Sequence, residues 1–576
     1  MRWRGVLGVL GGWLLCASAL AAPQLVIQLA DDSLRSLLEK HLEVMRWRGD
    51  DRVSEAQWQR LLQQTPQHIH DLLASEGYFS SVVRLDDTSH PPRFIVELGP
   101  QTTIGEVQFQ LEGEIAQRDD YAARRRQMRL AMGLERGLPF TSALWAEAKK
   151  KGLQQLLIDR YPAATLTFSQ AEVDPETAQA KLVLRYDSGV PYRLGEISIE
   201  GLQRYPDTVI RHLAPFQTGD DYRQDSLLDF QTALQSTPYF ARVFVDSDVS
   251  LAQAQQIPVR VAVEEGPQQR FALGAGYSSN TGYRSEINYR HHNLFGWGWM
   301  AEAGLKWEQK QQQLELGVRL PVDEKGYRHR FAFVEERQDL ENLPLQRDKI
   351  SLSRSRQRQQ IDTTLALQYQ RERAEPIAAP VRRTQVLWAN YVWSQRQLTP
   401  ALNPQRGYAW QFELGGAVRG ALSDTSMVRG YARGVRYLPL PERRWGYLLL
   451  RAEAGQVWAE QGAEVPTDLL FRIGGSQTVR GYDFESLGVR QGQSVLGGRV
   501  MMAASAEYVY PMTPQWGSAV FIDVGDATSH WPALNLKRGY GVGARWASPV
   551  GPLALDVAYG EATQRWRLHF ALNMGW

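Results

Sequence analysis

The sequence predicts a mixed fold: a transmembrane antiparallel β-barrel of about sixteen strands, preceded by three small α+β modules of order β-α-α-β-β. Three observations predict it. Of 18 tryptophans, 13 lie beyond residue 267, a crowding of large rings that suits the interfacial girdles of a membrane barrel. Apolar and polar residues alternate with period two in that half, as in Trp566, Leu568 and Phe570 against Arg565, Arg567 and His569. The first half instead repeats itself, Ile104-Gly105-Glu106-Val107 returning as Leu194-Gly195-Glu196-Ile197.

In chain order, residues 1–22 read as a secretory leader. Arg2 and Arg4 give a basic start, Val6–Leu15 a short apolar core, and Ala19-Leu20-Ala21 a cleavage site. The modules are expected at 23–100, 101–190 and 191–267, a period of roughly 75–90 residues. Each closes on a strand and a turn: Phe94–Pro100, Lys181–Pro191 and Val259–Pro267. Before each comes an aromatic after a helical stretch: Tyr78-Phe79, Tyr161-Pro162 and Tyr239-Phe240. In the third copy the pattern predicts a strand at Tyr192–Glu200 and helices near Pro206–Ala214 and Arg223–Gln235. Strands near Arg242–Val249 and Pro258–Glu264 complete it.

The barrel is expected at 268–576, about nineteen residues per strand with its connection, of which a tilted spanning strand uses ~9–11. An even strand number returns the C-terminus to the side on which the modules lie. A long connection, roughly 459–498, falls between strands eleven and twelve on the opposite face. Some segments, such as Gln385–Trp393, alternate poorly.

Composition excludes other classes. A net charge of +2 gives no basic surface for nucleic acid. The single cysteine, Cys16, lies in the leader, which leaves no thiol catalysis, cysteine zinc site or disulfide framework. There is no GxxxxGK[ST], HExxH or GxSxG. His68 and His70 are not on one helical face, His291-His292 falls at an expected turn, and His329 and His569 form no triad pattern. No enzyme and no cofactor is expected.

One constellation stands out. The long connection carries Gly474-Gly475-Ser476-Gln477-Thr478-Val479-Arg480-Gly481-Tyr482. Alternation turns Glu507 of the next strand and Asp523 of the strand after it toward the lumen. If the loop folds inward, Arg480 can bridge both carboxylates, because guanidinium matches them in a fork. Val428-Arg429-Gly430-Tyr431 repeats the tetrapeptide within a strand-like run, without the paired glycines or the long loop, and reads as coincidence.

These features together resemble the BamA-like outer-membrane assembly superfamily: repeated modules, a barrel, VRGY in the sixth outer loop and Phe521-Ile522-Asp523-Val524-Gly525 downstream. The resemblance makes the modules periplasmic POTRA domains, and three of them before sixteen strands look most like its TamA branch. It implies an outer-membrane insertase or translocase for autotransporter-type and other outer-membrane proteins. Its partners would be unfolded clients, outer-membrane lipid and a TamB-like protein anchored in the inner membrane. By the family pattern, a weak seam joins the first and last strands, here Phe271, Leu273, Gly274 and Gly276 against Phe570, Leu572, Met574 and Trp576. Glycine and alanine in the first strand offer little cross-strand packing. The competing expectations are a two-partner secretion exporter, which usually carries two modules and a plug helix, and a passive porin.

Overall fold

The computed structural model describes residues 25–572, apart from residues 49, 51, 401, 421 and 550. The leader, Met574 and Trp576 therefore lie outside the described residues. The chain forms two compact units. One runs up to Glu196 and adds Phe216–Leu228 and Asp246–Val259, while the other holds Ile197–Pro215, Asp229–Val245 and the chain from Arg260 onward.

Three three-stranded sheets precede the barrel, each with its last strand in the centre. In the first, Arg93–Glu97 pairs parallel to Val26–Gln28 and antiparallel to Val82–Asp86. Its long helix, Glu55–Ser75, starts on a Ser54/Gln57 capping box and buries Trp58, Leu62, Thr65, Ile69 and Leu73. That spacing of three and four residues makes one apolar stripe, which packs with Phe94 and Val96. In the second, the central strand Gln179–Asp187 buries Ala180, Leu182, Leu184 and Tyr186 at period two. Helices Tyr121–Met132 and Ser142–Leu157 cover that face.

The repeated motif has a structural cause. Gly113 and Gly201 end equivalent strands at φ +87° and +82°, conformations that penalise a side chain. The third module holds strands Arg193–Glu200, Phe240–Ser247 and Gln256–Glu265 with helix Gln224–Gln235. The helix expected at Pro206–Ala214 is corrected to the single turn Thr208–Arg211. Pro206 cannot donate to a longer helix, and Pro215 pushes Ala214 out of the helical region.

From Gln269 onward one sixteen-stranded antiparallel sheet runs in sequence order. Strands are numbered here by position in the barrel, one (Gln269–Ser278) to sixteen (Arg565–Leu572). Among the described residues, strands one and sixteen share no ladder. Their link is the Ser279 hydroxyl, which accepts from the Phe570 N–H at 3.3 Å and donates to its carbonyl at 3.4 Å. Outward positions carry exposed Phe331, Leu352, Leu367, Phe412, Leu414, Val542 and Leu568. So continuous an apolar wall suits lipid rather than water. No described helix is long and apolar enough to cross a membrane.

Candidate functional site

Strands eleven (Tyr447–Ala459) and twelve (Val500–Pro511) are joined by residues 460–499, close to the predicted connection. Much of this loop is buried. Val465, Leu469, Phe471, Ile473, Val479 and Tyr482 pack with wall residues that include Met501, Ala503 and Ala527. The loop thus supplies the core that an open barrel of this width lacks.

Arg480 is 2% exposed and spends all five guanidinium N–H groups. Nε and Nη2 fork onto Asp523 of strand thirteen (Trp516–Thr528) at 2.7 and 2.9 Å. Nη1 donates to Glu507 at 2.7 Å and to Asp556 at 3.0 Å, and Nη2 also reaches the Ser505 hydroxyl at 3.4 Å. The Arg480 main-chain N–H adds a bond to Asp523 at 3.0 Å. The guanidinium carbon lies 3.3 Å from the Phe521 ring centre, a stacking contact.

The sequence reading missed two members of this cluster. Asp556 comes from strand fifteen (Gly551–Gly560) and Arg545 from strand fourteen (Lys537–Ser548). Arg545 donates to Glu507 at 2.8 Å and also binds Asp556. Two guanidiniums therefore face three carboxylates, which offsets most of the repulsion among the acids. The available signal was the inward alternation of both residues on adjacent strands.

The flanking residues fit the arginine to the wall. A Cβ on Gly481 would stand 2.6 Å from the Gly560 nitrogen, so only glycine permits this approach. One on Gly474, at φ +117°, would lie 2.4 Å from the Asp483 carbonyl oxygen. Gly475 is also left-handed, at φ +95°. Val479 is fully buried, and the Tyr482 hydroxyl donates to the Arg538 carbonyl at 2.9 Å.

Arg429 corrects an expectation. It lies in strand ten (Met427–Pro439) as read, yet it is not idle. Its Nε donates to the loop carbonyl of Leu469 at 3.1 Å, its Nη1 pairs with Glu413 at 2.6 Å, and it covers the Phe471 ring. The wall also grips the loop where no motif signalled it. Thr467 donates through N–H and hydroxyl to Glu372 of strand seven (Ile361–Ala374), at 2.7 and 2.6 Å. Arg347 of strand six (Leu343–Arg358) binds the same carboxylate at 2.8 Å, and Lys349 binds Asp468 at 2.7 Å. Strands six and fourteen are eight apart in a sheet of sixteen, so the loop is held to opposite walls.

The described seam residues fall on strands one and sixteen. Phe271, Leu273 and Phe570 point outward and are exposed, whereas Gly274 and Gly276 face inward opposite Glu286 and Arg284. Leu572 ends strand sixteen. Among the described residues no group of three His, Cys, Asp or Glu side chains is placed to hold a metal.

A family model described as the Omp85 superfamily domain matches residues 265–576, and one described as a surface antigen variable number repeat (POTRA) matches 192–266. Outer membrane protein assembly factor BamA of Neorickettsia risticii is 23% identical over 397 residues, covering 64% of this chain and 52% of its own. The BamA of Nitratidesulfovibrio vulgaris is 22% identical over 417 residues, covering 64% and 48%. The chain thus spans about half the length of these relatives. The crystal structure of Haemophilus ducreyi BamA lacking POTRA domains 1–3 superposes with a TM-score of 0.65 at 17% identity. That match covers 81% of this chain and 99% of the other. It shares the fold.

Proposed function

The chain belongs to the Omp85 superfamily, and on that footing we propose that it is an outer-membrane component that assists insertion or export of other outer-membrane proteins. The barrel sits in the outer membrane, and POTRA modules at 23–100, 101–190 and 191–267 lie in the periplasm. Three modules before sixteen strands favour the TamA branch, with autotransporter-type clients and a TamB-like partner anchored in the inner membrane. The protein works without catalysing a covalent reaction.

The observation that carries this reading is the seam. One edge of strand one has no ladder partner among the described residues, and an unpaired edge is a template for an incoming strand. A buried loop held by ion pairs argues against a passive porin, which needs an open lumen. The test is reconstitution in lipid vesicles with an unfolded autotransporter barrel as client. Faster acquisition of protease-resistant client than in empty vesicles supports the proposal. Equal rates, or a constitutively large conductance, would sink it. Crosslinking in the native membrane, followed by identification of trapped proteins, tests the partner separately.

A further inference from the structure

Strand six carries Arg354, Arg356 and Arg358 at the end where it reaches the module side of the barrel. Cross-strand pairing of Leu352 with exposed Phe331 and Leu367 places the even-numbered residues of this strand on the outward face. Three guanidiniums therefore stand in line on the lipid-facing wall, about 7 Å apart at the backbone by strand geometry. They lie just beyond exposed Ile350 and Leu352, beside Leu365 and Leu367.

None of the three forms an ion pair with a described residue. Asp323, in the turn before strand five (Tyr327–Leu340), is committed to the N–H groups of Lys325 and Tyr327 at 2.9 and 2.8 Å and to His329 at 3.2 Å. Asp362 of strand seven opposes Gln357, on the lumen face. Arg354 and Arg356 share Tyr327. Its ring centre lies 3.5 Å from the Arg354 guanidinium carbon and 5.1 Å from that of Arg356. A ring face attracts a cation but carries no net charge to offset two.

The opposite end of the same wall is built differently. There Arg337 pairs with Glu335 at 3.1 Å and Arg373 with Glu375 at 2.7 Å. Of the arginines on this wall, the module-side three stand together without a carboxylate, whereas at the far end Arg371, which bonds the Tyr369 hydroxyl, stands beside these two paired arginines. Like charges held in a row at an apolar boundary call for an anion at that depth, and a phosphodiester oxygen pair matches the guanidinium fork.

We propose that Arg354, Arg356, Arg358 and Tyr327 form a headgroup site for an anionic phospholipid in the leaflet on the module side. The phosphate sits on the arginine row, and the acyl chains lie along Ile350, Leu352, Leu365 and Leu367. This site is independent of what the barrel assembles.

The full chain, folded in neutral micelles, is offered phosphatidylglycerol and phosphatidylcholine together, and retained lipid is counted by native mass spectrometry. Phosphatidylglycerol should be retained in preference, and each Arg→Gln change in the row should cut that preference about fivefold. R354Q/R356Q/R358Q should abolish it, whereas R337Q/R373Q should leave it intact. If the triple variant fails to fold, the single variants R354Q and R358Q carry the test. A wild type without headgroup preference, or variants that keep it, would overturn the site. Displacement of the lipid by excess inorganic phosphate would overturn the assignment to a lipid.

Discussion

The main-chain N–H of Gly481 donates to Nε2 of His569 across 2.9 Å, joining the lumen loop to the last barrel strand. An accepting Nε2 carries no proton, so the imidazole is held in its Nδ1–H form. Asp483 adds an ion pair to Arg567 of the same strand, and Ser476 lies 3.4 Å from Asn280, in the turn that follows strand one. The loop therefore touches both sides of the seam.

Arg480→Ala should destabilise the barrel by about 3–5 kcal/mol, because three buried carboxylates would then face one another with Arg545 alone. Unfolding in urea, followed by heat-modifiable gel mobility, measures this. Arg480→Lys should recover only part of the loss, since an ammonium has three donors against five and cannot fork onto Asp523. Arg429→Ala should cost less, because it removes one loop carbonyl contact and one pair at half-buried positions. A stability for Arg480→Ala equal to that of Arg429→Ala would contradict the lock.

The far clamp makes its own prediction. Glu372→Ala removes the one oxygen that accepts from both the N–H and the hydroxyl of Thr467 and leaves Arg347, 4% exposed, with Glu336 as its close carboxylate. The loop around 460–470 should become sensitive to added protease while the segment around Arg480 stays protected. Global stability should fall by about 1–3 kcal/mol, the cost of a buried donor left unpaired. Uniform protection along 460–499 in this variant would show that the Arg480 cluster alone holds the loop.

What was legible in the sequence was facing. Period two placed Glu507 and Asp523 on the lumen side, and a glycine-bracketed arginine in a long connection pointed to them. Facing does not give height along the barrel. Arg545 and Asp556 also alternate inward, but cross-strand register sets which inward residues meet, and hydrogen bonding across the sheet fixes that. The Thr467–Glu372 contact was hidden for a related reason, since it joins a loop to a wall half a barrel away. Gln385–Trp393 alternated poorly because the loop makes part of the lumen apolar. In strand eight (Arg382–Thr399) Val386 and Trp388 face inward onto the loop core, while Tyr391 faces out.

The third module should matter more than the first. Within the barrel's own compact unit, the Tyr239 hydroxyl donates to the Gly298 carbonyl at 2.9 Å and Asn293 donates to that of Arg204 at 2.7 Å. Short sheet edges in any module can pair with extended client backbone without demanding a sequence. Deleting 24–100 while keeping 192–267 should therefore impair client assembly less than the reverse deletion. Client folding yield in cells carrying each deletion at matched barrel levels decides it. Equal loss from both would leave position along the module chain without importance.

The seam carries the last prediction. Strand one is exposed along nearly its whole length, and Leu273, at 80% exposure, has its only ladder partner among the described residues in strand two. Gly274, Ala275 and Gly276 give that strand little side-chain area to hold a neighbour. Closure then rests, among the described residues, on one serine hydroxyl and on the loop contacts to strand sixteen. A client strand with a full backbone ladder would outcompete so few bonds, because each added N–H···O contact contributes roughly 0.5–1.5 kcal/mol. Cysteine pairs engineered between 271–278 and 564–572 meet no native thiol in the barrel, as the sole cysteine is Cys16. Oxidation should block client assembly and leave barrel mobility on gels unchanged, and reduction should restore assembly. A locked barrel that assembles clients at the full rate would place the client path elsewhere. The lumen offers no ready substitute, because the loop packs inside it and is gripped from both walls.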